Sequence, residues 1–512
     1  MIFKTRKPDG SDEFIKCKKC NIRKRINCLH LCKRCNAMSL QIVDSGNKII
    51  DDFIKETQFK KSASDFLKWV PYENLKNVEH IGRGGFSQIY KATWEKQRYL
   101  KYNGTFKTEK TEVVLKVLND SESVDAKFFK ELKYTYQLWD GWGVTSIQCY
   151  GVTQIPKTKN YAFILEYAKG GDLHHFLNKN FAEMKWMKKI DFLRDMVKGI
   201  KKIHNKKILH RDLHSGNILI THSVVISDLG FSQPATIKSN LSRDSQIYGI
   251  IPYMAPELFK GQPYSYASDI YSLGMIMWQM TSGHRPFHDQ NHGPKLILDI
   301  LDGKRPEITE DTPKCWTNLM KRCWHSVPSQ RPTIREIYMS YFSSSYNSYS
   351  EYSIKKFYPD KYNDWLEINE AEKKRLEMIE SKKPFVKNPG YEHPGSRYYS
   401  VLLNSMLESI NSKVSDLFSN DNLFSNDHFD INSNQINENP GGNSSAENSK
   451  KHFLDESLQE DDQRIVKDSS RWIPFKENRA RWFQSNFKET GKINRGISHK
   501  GINGQKEIAL RQ

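Results

Sequence analysis

Apolar positions divide the chain into a patterned middle and sparsely patterned ends. Val113-Val114-Leu115-Lys116-Val117-Leu118 and Tyr161-Ala162-Phe163-Ile164-Leu165-Glu166-Tyr167 are short β-branched and aromatic runs that predict strands. Between them, Phe128, Leu132 and Tyr136 recur at every fourth position, which predicts a helix over 124–138 with one buried face. Leu193, Met196, Val197, Ile200 and Ile203 line one side of a second helix between Phe192 and His204. Ile270 to Met280 is apolar on nearly every side, the pattern of a helix buried all round. Strands concentrate in the first half of residues 71–345 and helices in the second. That order predicts an α+β domain of two lobes, β-rich then α-rich, with a cleft where they meet.

The ends read differently. Residues 1–45 are basic and cysteine-rich. Residues 46–70 carry a helix-like repeat (Ile50, Phe53, Ile54, then Phe66 and Leu67) and read as a linker helix. Residues 346–512 form a polar tail, expected to be mostly disordered. Ser343 to Ser350 is low in complexity, and the stretch from Asn404 to Lys451 is Asn/Ser-rich, too polar to offset its ordering entropy by burial. Trp472, Phe475, Trp482 and Phe483 punctuate the last part of that tail.

Composition narrows the classes of function. The hydrophobic share of 37% is low enough that part of the chain carries no core, and the net charge of +19 favours acidic partners. Most of that surplus is scattered and reads as a lysine-rich surface. Residues 1–36 hold eleven Lys/Arg against three Asp/Glu, dense enough to admit nucleic acid or another polyanion as a partner. No run of about 18 apolar residues predicts a transmembrane segment. The N-terminus lacks the apolar core of a signal peptide. An intracellular protein is expected, cytoplasmic or nuclear, with its cysteines reduced.

Five of the eight cysteines lie between residues 17 and 35. Cys17-Lys18-Lys19-Cys20 and Cys32-Lys33-Arg34-Cys35 are two Cys-x-x-Cys knuckles, able to supply four thiolates to a structural Zn²⁺, with Cys28 and His30 as alternative ligands. The surrounding lysines are expected to depress the thiol pKa values. The competing reading is a basic segment with reduced thiols and no metal.

The residues that carry chemistry lie in the patterned middle. Ile81-Gly82-Arg83-Gly84-Gly85-Phe86-Ser87-Gln88-Ile89 is a glycine-rich turn whose amides can approach phosphate oxygens. Lys116 lies inside an apolar strand and needs a counter-ion or a phosphate there; Glu131, on the following helix, is the candidate partner. In His210-Arg211-Asp212-Leu213-His214-Ser215-Gly216-Asn217, Asp212 is a candidate base five residues before a candidate Mg²⁺ ligand, Asn217. Asp228, in Ser227-Asp228-Leu229-Gly230, is a second candidate ligand.

In order and spacing this set resembles the eukaryotic protein kinases, across residues 72–342, and within them the tyrosine-kinase-like group; it is also similar to kinases abundant in some fungi. The resemblance implies a bilobal kinase fold that transfers the γ-phosphoryl of ATP, with Mg²⁺, to a Ser/Thr (less favoured, Tyr) hydroxyl of a protein substrate. It implies Lys116 and Glu131 as the pair that positions the α- and β-phosphates. It also implies an adenine contact through the Glu166 carbonyl and the Ala168 backbone. Asp269 would brace the catalytic loop, and Arg331 would pair with Glu257 of Ala255-Pro256-Glu257. Departures from the family pattern are Ser87 at the third glycine, Leu229 in Asp-Phe-Gly, His214 where lysine is usual, and Ile250 where threonine is usual. Ser232, Thr236, Ser239, Ser242, Ser245 and Tyr248 fall in the expected activation segment, where an upstream kinase could place a phosphate against Arg211. The alternative is a pseudokinase scaffold that binds nucleotide or partners and transfers nothing.

Overall fold

The computed structural model describes residues 4–6, 12–14, 16–18, 31–32, 35–36, 43–60, 66–99, 106–122, 125–139, 145–235, 246–342 and 351–410. Cys20, Cys28, His30, residues 236–245 with four of the activation-segment hydroxyls, and everything beyond 410 lie outside these residues. Contacts divide the chain after Ser425, so all that is described belongs to the first unit.

The first lobe is a six-stranded sheet made of β1 (Lys68–Trp69), β2 (Leu75–Arg83), β3 (Ser87–Tyr99), β4 (Phe106–Leu118), β5 (Cys149–Gln154) and β6 (Tyr161–Glu166). The order across it is β1-β5-β6-β4-β3-β2, antiparallel except for β1 on β5. Alternation along β4 sends Val113, Leu115 and Val117 into one buried layer with Trp94 and Ile164. Lys116 therefore takes the other face, opposite Phe163 in register.

Helix α1 (Lys48–Lys60) and helix α2 (Ala126–Leu138) cover that other face. Helix α2 begins at Asp125, whose carboxylate accepts the Phe128 N–H at 2.6 Å, a side-chain cap on an otherwise orphaned donor. The span read as a linker packs its helix directly on α2. Phe53 meets Phe129 at 5.1 Å and Tyr136 at 6.0 Å between ring centroids, and the Tyr136 hydroxyl donates to the Thr57 carbonyl at 3.1 Å.

The second lobe is helical: α3 (Leu173–Asn180), α4 (Trp186–Asn205), α5 (Tyr266–Ser282), α6 (Pro294–Leu301), α7 (Lys314–Cys323) and α8 (Tyr362–Glu380). Helix α5 is buried from Ser268 to Ser282, as its largely apolar pattern requires. Two short hairpin strands, β7 (Ile218–Ile220) and β8 (Val224–Ile226), lie at the cleft with Ile218 opposite Ile226.

Helix α8 and residues 381–410 fall in the stretch assigned to a polar tail, yet they fold onto this lobe. Ile368, Ala371, Leu403, Leu407 and Ile410 enter its core. Glu372 accepts the Trp186 N–H at 2.9 Å and Glu367 accepts the Cys315 N–H at 2.7 Å. Two carboxylates of α8 thus satisfy open N-terminal donors of α4 and α7. Burial of a few widely spaced side chains, with charged groups serving as caps, holds a segment whose average composition reads as unstructured.

Candidate active site

Strand β4 and helix α2 place the first group of residues. Glu131 follows Phe128 by three positions and so shares the face that α2 turns to the sheet. Lys116 Nζ lies 2.7 Å from Glu131 Oε1 and 2.7 Å from Asp228 Oδ1. The side chains of Lys116 and Glu131 are 10% and 5% exposed, whereas Asp228 opens to the cleft at 32%. Burial alone would lower the Lys116 ammonium pKa; the two carboxylates outweigh it and hold the charge firmly on the lysine. Burial raises Glu131 despite its lysine partner. It would raise Asp228 too, but Lys116 and the Gly230 N–H hold that carboxyl below its ordinary value. At Gly230 a Cβ would stand 2.8 Å from Glu131 Oε2, so the turn after Asp228 closes on Glu131 only because the residue is glycine. The group of three has one cation for two acids. It is short of positive charge on the side that faces the cleft.

The second group is held by Asp269 of α5. Its carboxylate accepts the backbone N–H groups of His210 (2.9 Å) and Arg211 (3.0 Å) and meets His204 Nε2 at 2.9 Å. His204 is a brace that the sequence did not disclose; its pattern was that of an ordinary core position of α4. His210 is buried against the Ser227 carbonyl at 3.1 Å, a supporting position. Asn217 Nδ2 donates to the Asp212 carbonyl at 2.8 Å. Asn217 immediately precedes β7 and Ser227-Asp228 immediately follow β8, and the Ser227 N–H donates to the Asn217 carbonyl at 2.9 Å. One hairpin therefore joins Asp212 and Asn217 to Asp228. His214 Nδ1 accepts the Gly216 N–H at 3.1 Å, and its Nε2 stands 3.7 Å from Asp212 Oδ2.

The glycine turn links β2 to β3. Ile81, Gly82 and Arg83 close β2, Gly84 and Gly85 form the turn with the Gly84 N–H on the Ser87 carbonyl at 2.8 Å, and Ile89 pairs with Gly82. Ser87 opens β3 opposite Leu118, in a strand whose backbone accommodates a Cβ. Phe86 of this turn packs on Phe231 (5.2 Å) and Tyr248 (5.3 Å) beyond Asp228. Glu166 ends β6, and the Ala168 carbonyl is taken by the Gly171 N–H at 3.0 Å.

The profile of a family described as "Protein tyrosine and serine/threonine kinase" matches residues 75–341, more than half of the chain. The chain belongs to this family. A protein of Dictyostelium discoideum named as a serine/threonine-protein kinase is 28% identical over 319 residues, 59% of this chain and 16% of that one. A serine/threonine-protein kinase/receptor of Acanthamoeba polyphaga mimivirus is 30% identical over 304 residues, 57% and 17% of the respective lengths. Mitogen-activated protein kinase kinase kinase 13-A of Xenopus laevis is 29% identical over 273 residues, 53% and 25%. The chain thus spans about a sixth of the length of the first two relatives. Membership implies ATP with Mg²⁺ and a protein acceptor. No helix among the described residues is long and apolar enough to cross a membrane.

Elsewhere in the kinase domain, Arg331 and Glu257 form two 2.7 Å hydrogen bonds in the interior of the large lobe. Ile250 is buried in that core. Leu229 is buried too, filling with an aliphatic side chain the place where the family pattern has phenylalanine. The Arg211 guanidinium lies 4.2 Å from the centroid of the Tyr264 ring. The feature the sequence missed altogether is Ser400. Its Oγ is 2.8 Å from both carboxylate oxygens of Asp212.

At the N-terminus, the thiols of Cys17, Cys32 and Cys35 lie within 4.8 Å of one another, all buried; Cys20 is outside the described residues. The expected depression of thiol pKa by lysines is not what the fold produces at Cys32. Burial pushes that thiol up, more than its hydrogen bonds from Cys35 pull it down.

Proposed function

We propose that this chain is an active serine/threonine protein kinase of the tyrosine-kinase-like group, transferring the γ-phosphoryl of Mg-ATP to a protein hydroxyl. The observation that carries the reading is Lys116 Nζ at 2.7 Å from both Glu131 and Asp228. A lysine fixed by one carboxylate can present its charge to phosphate oxygens, while the second carboxylate remains for a metal. Mg²⁺, when bound, would supply positive charge to the phosphates. Asn217 and Asp228 are the residues that would hold it. Residues Ile81, Gly82, Arg83, Gly84, Gly85 and Ile89 cover the phosphates, and Glu166 and Ala168 offer backbone groups to the adenine. Asp212 orients the acceptor hydroxyl and takes its proton, and His214 Nε2–H faces that carboxylate. The Ser/Thr assignment is supported by the names of the relatives.

Phosphate incorporation into a generic protein acceptor, with phosphoamino-acid analysis, tests the reading. Wild type is expected to yield phosphoserine and phosphothreonine, and Asp212→Asn to lose about 10²–10⁴-fold in rate. A wild-type protein that binds ATP and transfers nothing establishes the scaffold reading instead.

The converging thiols also support a structural Zn²⁺ on Cys17, Cys20, Cys32 and Cys35. Purified protein should carry one equivalent of zinc, lost when the four cysteines are replaced by serine; metal-free wild type removes the idea. An intracellular location, an upstream kinase acting on the activation segment and a polyanionic partner for residues 1–36 complete the proposal.

A further inference from the structure

Residues 383–410 run across the large lobe into the cleft, and nothing in the reaction above requires them. Their path is closely held. Arg285 pairs with Glu392 and stacks on Tyr398 at 3.8 Å, the Tyr398 hydroxyl donates to the Pro286 carbonyl at 3.0 Å, and the Arg397 N–H donates to His292 Nδ1 at 2.9 Å. Val401 and Leu402 then form a strand, β10, antiparallel to β9 (Tyr248–Gly249) of the activation segment. The pairing continues from the Leu403 N–H to the Ile247 carbonyl (2.9 Å) and from the Ile247 N–H to Asn404 Oδ1 (2.8 Å). Leu403 is fully buried beyond it. An extended segment added to a strand, anchored by side chains in pockets, is how a folded domain holds a peptide.

This peptide delivers a hydroxyl to the base. Ser400 Oγ donates to Asp212 at 2.8 Å, within reach for proton transfer. The glycine turn closes over it: a Cβ on Gly85 would stand 2.8 Å from the Ser400 carbonyl oxygen. Ser400 thus lies between the base and the loop that covers phosphates, where an acceptor belongs. A serine that only tethered the segment has no need of that place.

We propose that Ser400 is a phosphoacceptor of this chain's own active site, modified in cis. The proposal rests on the kinase reading above. Ser400 Oγ attacks the γ-phosphorus of Mg-ATP and a new P–O bond forms. The bond from that phosphorus to the β,γ-bridging oxygen breaks, ADP leaves with its electron pair, and the hydroxyl proton passes to Asp212 and on to water. The product carries roughly −1.5 to −2 of charge against Asp212, so repulsion drives the phosphorylated segment out of the cleft. Occupancy by Ser400 therefore lasts for a single turnover, after which the cleft is open to other substrates.

Full-length protein, first treated with phosphatase, is incubated with Mg-ATP and a generic protein acceptor, and phosphate is mapped by site. Phosphate on Ser400 is expected to approach one per chain. Its first-order rate constant should hold across a roughly tenfold dilution, because the acceptor is tethered. Ser400→Thr should carry phosphothreonine at the same position, and Ser396→Ala should leave Ser400 labelling unchanged. An unmodified Ser400 in protein that labels the generic acceptor overturns this inference and leaves the kinase reading standing. So does a Ser400 rate that falls in proportion to dilution. No label on either acceptor overturns both.

Discussion

Two buried ion clusters in this molecule are built from the same chemistry and differ in arithmetic. In the large lobe, Arg331 faces one carboxylate, Glu257, through two 2.7 Å bonds, and its remaining donors reach the Ala267, His325 and Ser326 carbonyls. Charge and hydrogen bonds both balance. In the cleft, Lys116 faces two carboxylates and one of them opens to solvent. A balanced pair has nothing left to offer a ligand and serves architecture. An unbalanced one keeps an acid in place that is satisfied only when further positive charge arrives.

Mutations can break that contrast. Arg331→Met strands a buried carboxylate and should cost about 3–5 kcal/mol of stability, read from the denaturant midpoint. A midpoint close to wild type would mean that the balanced pair is not structural. Asp228→Asn removes the surplus charge while leaving Lys116 with Glu131. Phosphoryl transfer should fall by about 10²–10³-fold, with a denaturant midpoint lowered by less than that of Arg331→Met; a loss of stability as large as that one would make Asp228 part of the scaffold. The smallest effect is on pH. Asp228 is held below the carboxyl value of about 3.9 of an unfolded chain, so its contribution is complete above that pH and fades as pH falls through the folded value. Asp228→Asn should therefore lose less stability than wild type on titration below about pH 4. Parallel curves would show that the lysine does not govern this carboxyl.

The sequence displayed the cleft better than its surroundings. Lys116, Asp212, Asn217 and Asp228 stood out by functional group and spacing, and the fold brings them to one cleft. The two-lobed order followed from strand-like runs ahead of helical ones. Helix α1 announced itself by Ile50, Phe53 and Ile54, but periodicity does not name the surface a helix will meet, and a helix before a domain looks like a connection. Residues 381–410 gave less still. Leu403, Leu407 and Ile410 are buried on a lobe whose helices precede them in the chain, within a stretch where polar residues dominate any local average. Ser400 is one serine among many, and only the register of β10 on β9 takes it to Asp212.

The packing of Phe53 on Phe129 and Tyr136 sets a practical limit on how this protein can be trimmed. A recombinant fragment cut at the family boundaries, residues 75–341, would expose the outer side of the helix that carries Glu131 and uncap α4 and α7. Its poor yield or sluggish turnover would then report on missing buttresses rather than on the chemistry of the site.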